Sequence, residues 1–187
     1  MPASTWGIIA AVVVVAVLLY IVFTYNALVR LRNMTREAWS GISVQLRRRT
    51  DLVPNLVETV KAYAAHEKGV FEDIATRRAT SIAAGSVPEQ ARAEQALGLA
   101  LGRLMAVAEA YPELKADANF RSLQDSLGEI EDQLQMARRY YNGAAREQNI
   151  RVESFPANLV ANSFGFTREP YFELDNPADA AVPHVSF

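Results

Sequence analysis

A long run of apolar residues with no charge among them sets the first limit on what this chain folds into. Met1 to Val29 contains no charged side chain, and Trp6 to Phe23 is apolar throughout, softened only by Gly7 and Tyr20. A helix crossing the hydrocarbon core of a bilayer needs roughly 20 apolar residues, and Trp6–Tyr25 supplies 20. Trp6 at one end and Tyr20 and Tyr25 at the other fall where an aromatic belt would place them. A cleaved signal peptide is the competing reading. It would carry a basic leading region, a shorter apolar core and a small-x-small cleavage site. The N-terminus has no Lys or Arg, and no such site follows Val22, so an uncleaved membrane helix is expected.

Charge is unevenly placed along the 187 residues. Residues 1–49 hold six of the 19 basic residues (Arg30, Arg32, Arg36, Arg47, Arg48 and Arg49) against one of the 21 acids, Glu37. The remainder is acidic. Basic charge beside the span favours a cytoplasmic bundle with the N-terminus outside, and a periplasmic bundle is the alternative. Arg30, Arg32 and Arg36 lie within a few turns of the bilayer, where contact with anionic headgroups is expected. An acidic distal domain argues against nucleic acid as a partner, because phosphate binding needs a basic face. The chain has no Cys, so disulfides and thiolate metal sites are excluded and the compartment stays open.

No turn signal separates the span from the residues after it. One row of residues at heptad spacing is Leu28, Thr35, Ile42, Arg49, Leu56, Tyr63 and Val70; a second is Trp39, Leu46, Val53, Val60, Glu67 and Ile74. The pattern predicts one helix from the membrane to about Ile82, kinked at Pro54 because a mid-helix proline removes one hydrogen bond. Ala83–Pro88 reads as a turn, with Pro88 and Glu89 in the first turn of a second helix. Gly98 and Gly102 in that helix allow close approach of a neighbour. Tyr111-Pro112 ends it. A third helix runs from about Asn119 to Pro156, with the stripe Phe120, Leu123, Leu127, Ile130, Leu134, Ala137, Tyr141 and Ala144. Ala157–Asn162 makes one or two further turns, and Phe164, Phe166, Tyr171 and Phe172 are too apolar for a free tail. No strand pattern appears.

The expected class is therefore all-α. An N-terminal transmembrane helix continues into a long kinked helix of an elongated antiparallel three- or four-helix bundle. A fourth bundle position falls to the C-terminal segment or to a second protomer. Residues 1–25 are the anchor, 26–174 the bundle, and 175–187 a disordered tail rich in Pro, Ala and Asp.

Chemistry has few carriers here. The two histidines, His66 and His184, form neither a His-Glu-x-x-His motif nor paired Glu-x-x-His motifs. Glu129, Glu131 and Asp132 read as a solvated acidic face. Tyr140, Tyr141, Asn142, Asn149, Phe155 and Asn158 either line a groove or pack against the first helix. The stretch Arg47-Arg48-Arg49 with Asp51, Pro54 and Asn55 is the candidate register or partner site. On a helix its three arginines fan over roughly 200°, and Arg49 falls on the apolar stripe. There it either snorkels to an acid such as Asp51 or Glu147, or it is buried and fixes register or binds an anionic partner.

Taken together, the segments resemble the LemA family. The residues that carry the resemblance are Tyr25–Val29, Ala38-Trp39-Ser40, the whole of Val44–Val60, Ala64–Glu67, Tyr111–Ala116, Phe120 with Leu123-Gln124, Ala137–Asn142, Phe155–Asn158, and Phe164-Gly165-Phe166 leading to Tyr171-Phe172. One departure is Gln148-Asn149, where the family often has a second Tyr-Asn. The resemblance implies a bacterial single-pass membrane protein with a helical-bundle domain. It implies no reaction and no cofactor, and some relatives are linked to membrane remodelling, including formation of magnetosome organelles. The expected function is a non-enzymatic, membrane-anchored scaffold or adaptor of the inner membrane that forms homo-oligomers or binds a membrane protein. The alternative is a membrane-organising oligomer. An enzyme with an unrecognised site would instead show a concave polar pocket with strongly perturbed titratable groups.

Overall fold

The apolar run at the N-terminus opens a helix that carries on well past the last apolar residue. In the computed structural model, which describes residues 3–173, α1 spans Ala3–Lys61. Five more helices follow: α2 Lys68–Ala83, α3 Val87–Glu109, α4 Pro112–Ala116, α5 Ala118–Glu153 and α6 Ala157–Ser163. The expected tail from residue 175 lies outside the described residues. The chain divides into two compact units. One holds α1 as far as Ser40 together with Tyr140–Glu169; the other holds Gly41–Arg139 and, of the described residues after Glu169, 170–173.

In the second unit, four helices close on one core. Val53, Leu56 and Val60 come from α1, Phe71 and Ile74 from α2, Leu97, Leu101 and Leu104 from α3, and Phe120 and Leu127 from α5. Leu114 of α4 is completely buried in the same core. A buried aliphatic side chain contributes about 1.5–3 kcal/mol relative to exposure, so this cluster dominates the unit.

The first helix ends earlier than the heptad rows imply. Residues between Lys61 and Lys68 turn, with Tyr63 and Ala64 both bonding back to the Val60 carbonyl and Glu67 to Ala64. The chain then folds back, so that Arg78 of α2 reaches Thr50 of α1. Apart from half-buried Trp39, the rows are buried as far as Val60, whereas Tyr63 is exposed and Ile74 is buried again. The physical reason is burial: the turn brings Phe71 and Ile74 against the core that Val53–Val60 already line. No Gly or Pro marks the turn, so the heptad register runs through it unbroken. In this unit the fourth bundle position is therefore filled by α2.

Pro54 lies inside α1, which continues to Lys61. A proline cannot donate to the carbonyl four residues back, which here belongs to Thr50. Arg78 Nε donates to that carbonyl at 2.6 Å. At the start of α3, Ser86 is the N-cap and its Oγ accepts from the Glu89 N–H, while the Glu89 carboxylate accepts from the Gly85 N–H at 3.1 Å. The two form a variant of the Ser-x-x-Glu capping box. The Gly85 N–H holds the Glu89 carboxyl below the usual carboxylate range.

In the first unit, α5 returns alongside α1. The Tyr141 ring stands 5.5 Å from that of Trp39. Leu28 packs with Val152, Val160, Ala161 and Phe166. Tyr25 meets Phe164 edge-on at 4.9 Å. After α6 the chain is tied back to α5 by Asn149, whose Nδ2 donates to the Glu169 carbonyl (2.9 Å) and whose Oδ1 accepts from the Glu169 N–H (2.8 Å). Gln148 is buried beside it and donates to the Thr167 carbonyl.

Candidate functional site

The arginine stretch separates into three different environments. Arg49 is 5% exposed, in the position the heptad row assigns it. Its Nη1 donates to Glu94 Oε2 of α3 at 3.0 Å, and its Nη2 pairs with Glu131 Oε1 of α5 at 2.7 Å. Glu94 is 3% exposed and also accepts from Ser81 Oγ and from Gln90 Nε2. One guanidinium thus fastens α1, α3 and α5 at one level, and Ser81 brings in the end of α2. Gly98 of α3 faces the guanidinium so closely that a Cβ there would stand 3.3 Å from Nη2. Burying such a pair costs several kcal/mol of hydration per ion, which only good geometry and further hydrogen bonds offset. Here Glu94 has three partners.

Asp51 and Glu147 are exposed, and neither is an Arg49 partner. The acids that do pair with it sit on helical faces. Glu94 precedes Leu97 by three residues and Leu101 by seven, on the buried stripe of α3. That interruption of an apolar face by an acid is the signal that matches an arginine on the facing stripe. Glu131 belongs to the acidic run read as a solvated face, and is half-buried, while Glu129 and Asp132 are exposed.

Arg48 is exposed and donates to Gln45 and Gln133. Arg47 and Asp51 line an open cleft of about 370 Å³ with Ser43, Thr50, Ser81 and Gln90. Pro54 is half-buried, and Asn55 is exposed with its carbonyl accepting from Thr59 Oγ1. Arg138 of α5 lies over the Phe172 ring, 5.3 Å from its centroid. Burial pushes its guanidinium below the usual range, and Glu131 pulls it back.

The juxtamembrane arginines belong to the other unit. Arg30 and Arg36 are exposed, with Arg30 beside Glu37 and Tyr140 in a shallow cleft. Arg32 is half-buried with its guanidinium 5.0 Å over the Phe166 ring, a cation–π geometry worth about 0.5–2 kcal/mol. It is therefore engaged within the protein. Of the set expected to line a groove or pack on the first helix, Tyr141 and Asn149 of α5 are buried, Asn142 of α5 and Asn158 of α6 half-buried, and Tyr140 and Phe155 exposed. Burial, with Glu169 adding to it, pushes the Tyr141 phenol up to about 12.

By length and composition, α1 holds one stretch able to cross a membrane. Its large side chains from Trp6 to Leu19 are more than half exposed, as a surface meant for hydrocarbon would be. An apolar helix of this kind, running on into helices closed over a common core, defines a membrane-anchored helical protein. The chain belongs to the LemA family, whose model matches residues 38–187. It is 30% identical to magnetosome protein MamQ 2 of Paramagnetospirillum magneticum, in an alignment covering 97% of this chain and 76% of that one. Magnetosome protein MamQ 1 of the same organism is equally similar, and magnetosome protein MamQ of Magnetospirillum gryphiswaldense is 28% identical over the same shares.

Proposed function

We propose that this protein is a non-enzymatic scaffold or adaptor of the bacterial inner membrane, which associates with itself or with a membrane protein. The observation that carries the reading is the 59-residue α1. A single helix supplies both the apolar span and part of the bundle core, so whatever binds the bundle is held at the bilayer. Residues 1–25 are the anchor in this reading and 26–174 the bundle domain. The arginines that follow the span favour the cytoplasmic side, with the periplasm as the alternative. Val44, Ile82, Leu99 and Met136 are large apolar residues left exposed on the bundle unit, and are candidates for contact with a second chain. The Arg49 cluster sets helix register in this reading and does not meet the partner. The test is native mass of the full-length protein in detergent, with crosslinking in intact membranes. A protein that is monomeric and captures no neighbour overturns the proposal.

A second reading is a membrane-organising oligomer. It is favoured by Arg30 and Arg36, which are exposed directly after the span, and supported by relatives named as magnetosome proteins. Overproduction then alters membrane shape, and Arg30→Gln with Arg36→Gln abolishes the effect. An unchanged phenotype removes the headgroup mechanism. Adding Arg32→Gln also disturbs the Phe166 contact, so the double variant is the cleaner test.

A further inference from the structure

A second uncharged stretch runs from Ser154 to Thr167, bounded by Glu153 and Arg168. Its 14 residues are too few to cross a bilayer, and of the length found in re-entrant or interfacial segments. In the fold this stretch is α6 and its flanks. The boundary charges pair with each other, Arg168 Nε to Glu153 Oε1 at 2.9 Å. Between them, Phe155 is 80% exposed, Leu159 60% and Phe164 54%.

Leu159 and Phe164 lie beside the membrane span. An apolar groove of about 690 Å³ is lined on one wall by Val13, Val17 and Tyr20 of α1 and on the other by Pro156, Leu159 and Phe164. Val17 is two turns inside Tyr25, roughly 12 Å along the helix. With the span in a bilayer, the α1 wall of this groove stands at hydrocarbon depth, and so does whatever covers it. Hydrocarbon demands that backbone polar groups find partners within the protein, and five of this segment's N–H groups do so. The N–H groups of Asn158, Leu159, Phe164, Gly165 and Phe166 all bond to carbonyls of the same stretch. The Ser154 and Ser163 hydroxyls donate to the Ile150 and Leu159 carbonyls.

We propose that residues 154–167 are a second membrane-contacting element, a wedge inserted into one leaflet, and that a lipid acyl chain fills the groove between α6 and the span. Glu153 and Arg168 mark the headgroup level, with Phe155 and Leu159 below it. An element that enters one leaflet beside the anchor widens that leaflet, which couples the protein to bilayer composition and curvature. The proposal rests on the span lying in a membrane and not on self-association.

Because the natural chain has no Cys, single labels are clean. Full-length Phe155→Cys, Leu159→Cys, Val17→Cys and Gln124→Cys proteins are spin-labelled and reconstituted in phosphatidylcholine–phosphatidylglycerol vesicles. Accessibility to oxygen and to a water-soluble nickel chelate is then measured by power saturation. Labels at 155 and 159 are expected to match position 17, with oxygen dominant, and to oppose position 124. If 155 and 159 instead behave like 124, the segment is in water and the proposal fails. Strong spin–spin coupling between copies at 159 that persists on dilution with lipid would put a second chain in the groove, and also overturns it. Helical circular dichroism of each variant confirms the fold. The native mass that tests self-association does not depend on any of these readouts.

Discussion

Arg78 completes the hydrogen bond that Pro54 leaves open, donating from Nε to the Thr50 carbonyl at 2.6 Å. The proline is thus matched by an arginine 24 positions on, in a helix that folds back along the first. A buried acceptor left unpaired costs about 1–3 kcal/mol, so the two residues are coupled.

The coupling is measurable by a double-mutant cycle. Arg78→Met in the natural background is expected to destabilise the protein by about 1–2 kcal/mol. In a Pro54→Ala background the N–H restored at position 54 takes the Thr50 carbonyl, and the same change costs clearly less. Urea unfolding of the full-length protein in detergent, followed by circular dichroism, reads both values. Equal costs in the two backgrounds would show that Arg78 acts elsewhere.

Breaking the Arg49 cluster is expected to be severe. Arg49→Leu leaves Glu94 buried without its cation, a loss of about 3–5 kcal/mol for such pairs. Arg49→Leu with Glu94→Leu removes both charges and is expected to recover most of that stability. A protein that folds normally with Arg49→Leu but loses its assembly in native mass measurements would make Arg49 a partner site instead.

The two glycines of α3 are expected to differ. Gly102 has nothing near its missing Cβ, so Gly102→Ala gains about 1 kcal/mol from helix propensity. Gly98→Ala starts with the same gain but presses on Arg49 Nη2, which Glu131 holds in place while Glu94 holds Nη1. It is expected to gain less than Gly102→Ala in the same unfolding assay. Equal gains would mean that the guanidinium gives way freely.

Tyr141 supplies a pH signature. Its folded pKa is raised to about 12 from the ordinary 10.0 by burial and by Glu169. The unfolded phenol ionises first as pH rises. Its contribution to stability is therefore complete below pH 10 and lost between about 10 and 12. Absorbance titration at 295 nm should show a late-titrating tyrosine that is lost in Tyr141→Phe. A titration curve unaltered above pH 11 by that substitution would refute the assignment.

Much of this was legible in the residues, and the failures have identifiable causes. The rows through Leu28, Ile42, Leu46, Val53 and Val60 predict a buried seam, and all five are buried. The third helix, expected from Asn119 to Pro156, is α5. The turn after Lys61 was hidden because it contains neither Gly nor Pro, and because tertiary burial of Phe71 and Ile74 outweighs a register that reads straight on. The partners of Arg49 were not visible near it in sequence, since Glu94 and Glu131 lie 45 and 82 positions away on other helices. Only the acid on the α3 stripe hinted at one of them. Periodicity reports which face is buried; it does not report which helix covers that face.

The Asn149 clamp carries a consequence for substitution at residue 169. Its carboxamide grips the main chain of residue 169 at both the N–H and the carbonyl, so it recognises a peptide and not a side chain. The grip itself excludes only proline at 169, so the crossing of the returning segment over α5 is held whether or not the Glu169 side chain keeps its own contacts with Gln148 and Tyr141. An amide at 149 fixes the path of the chain through its backbone alone, and leaves the Glu169 side chain to its separate work beside Gln148 and Tyr141.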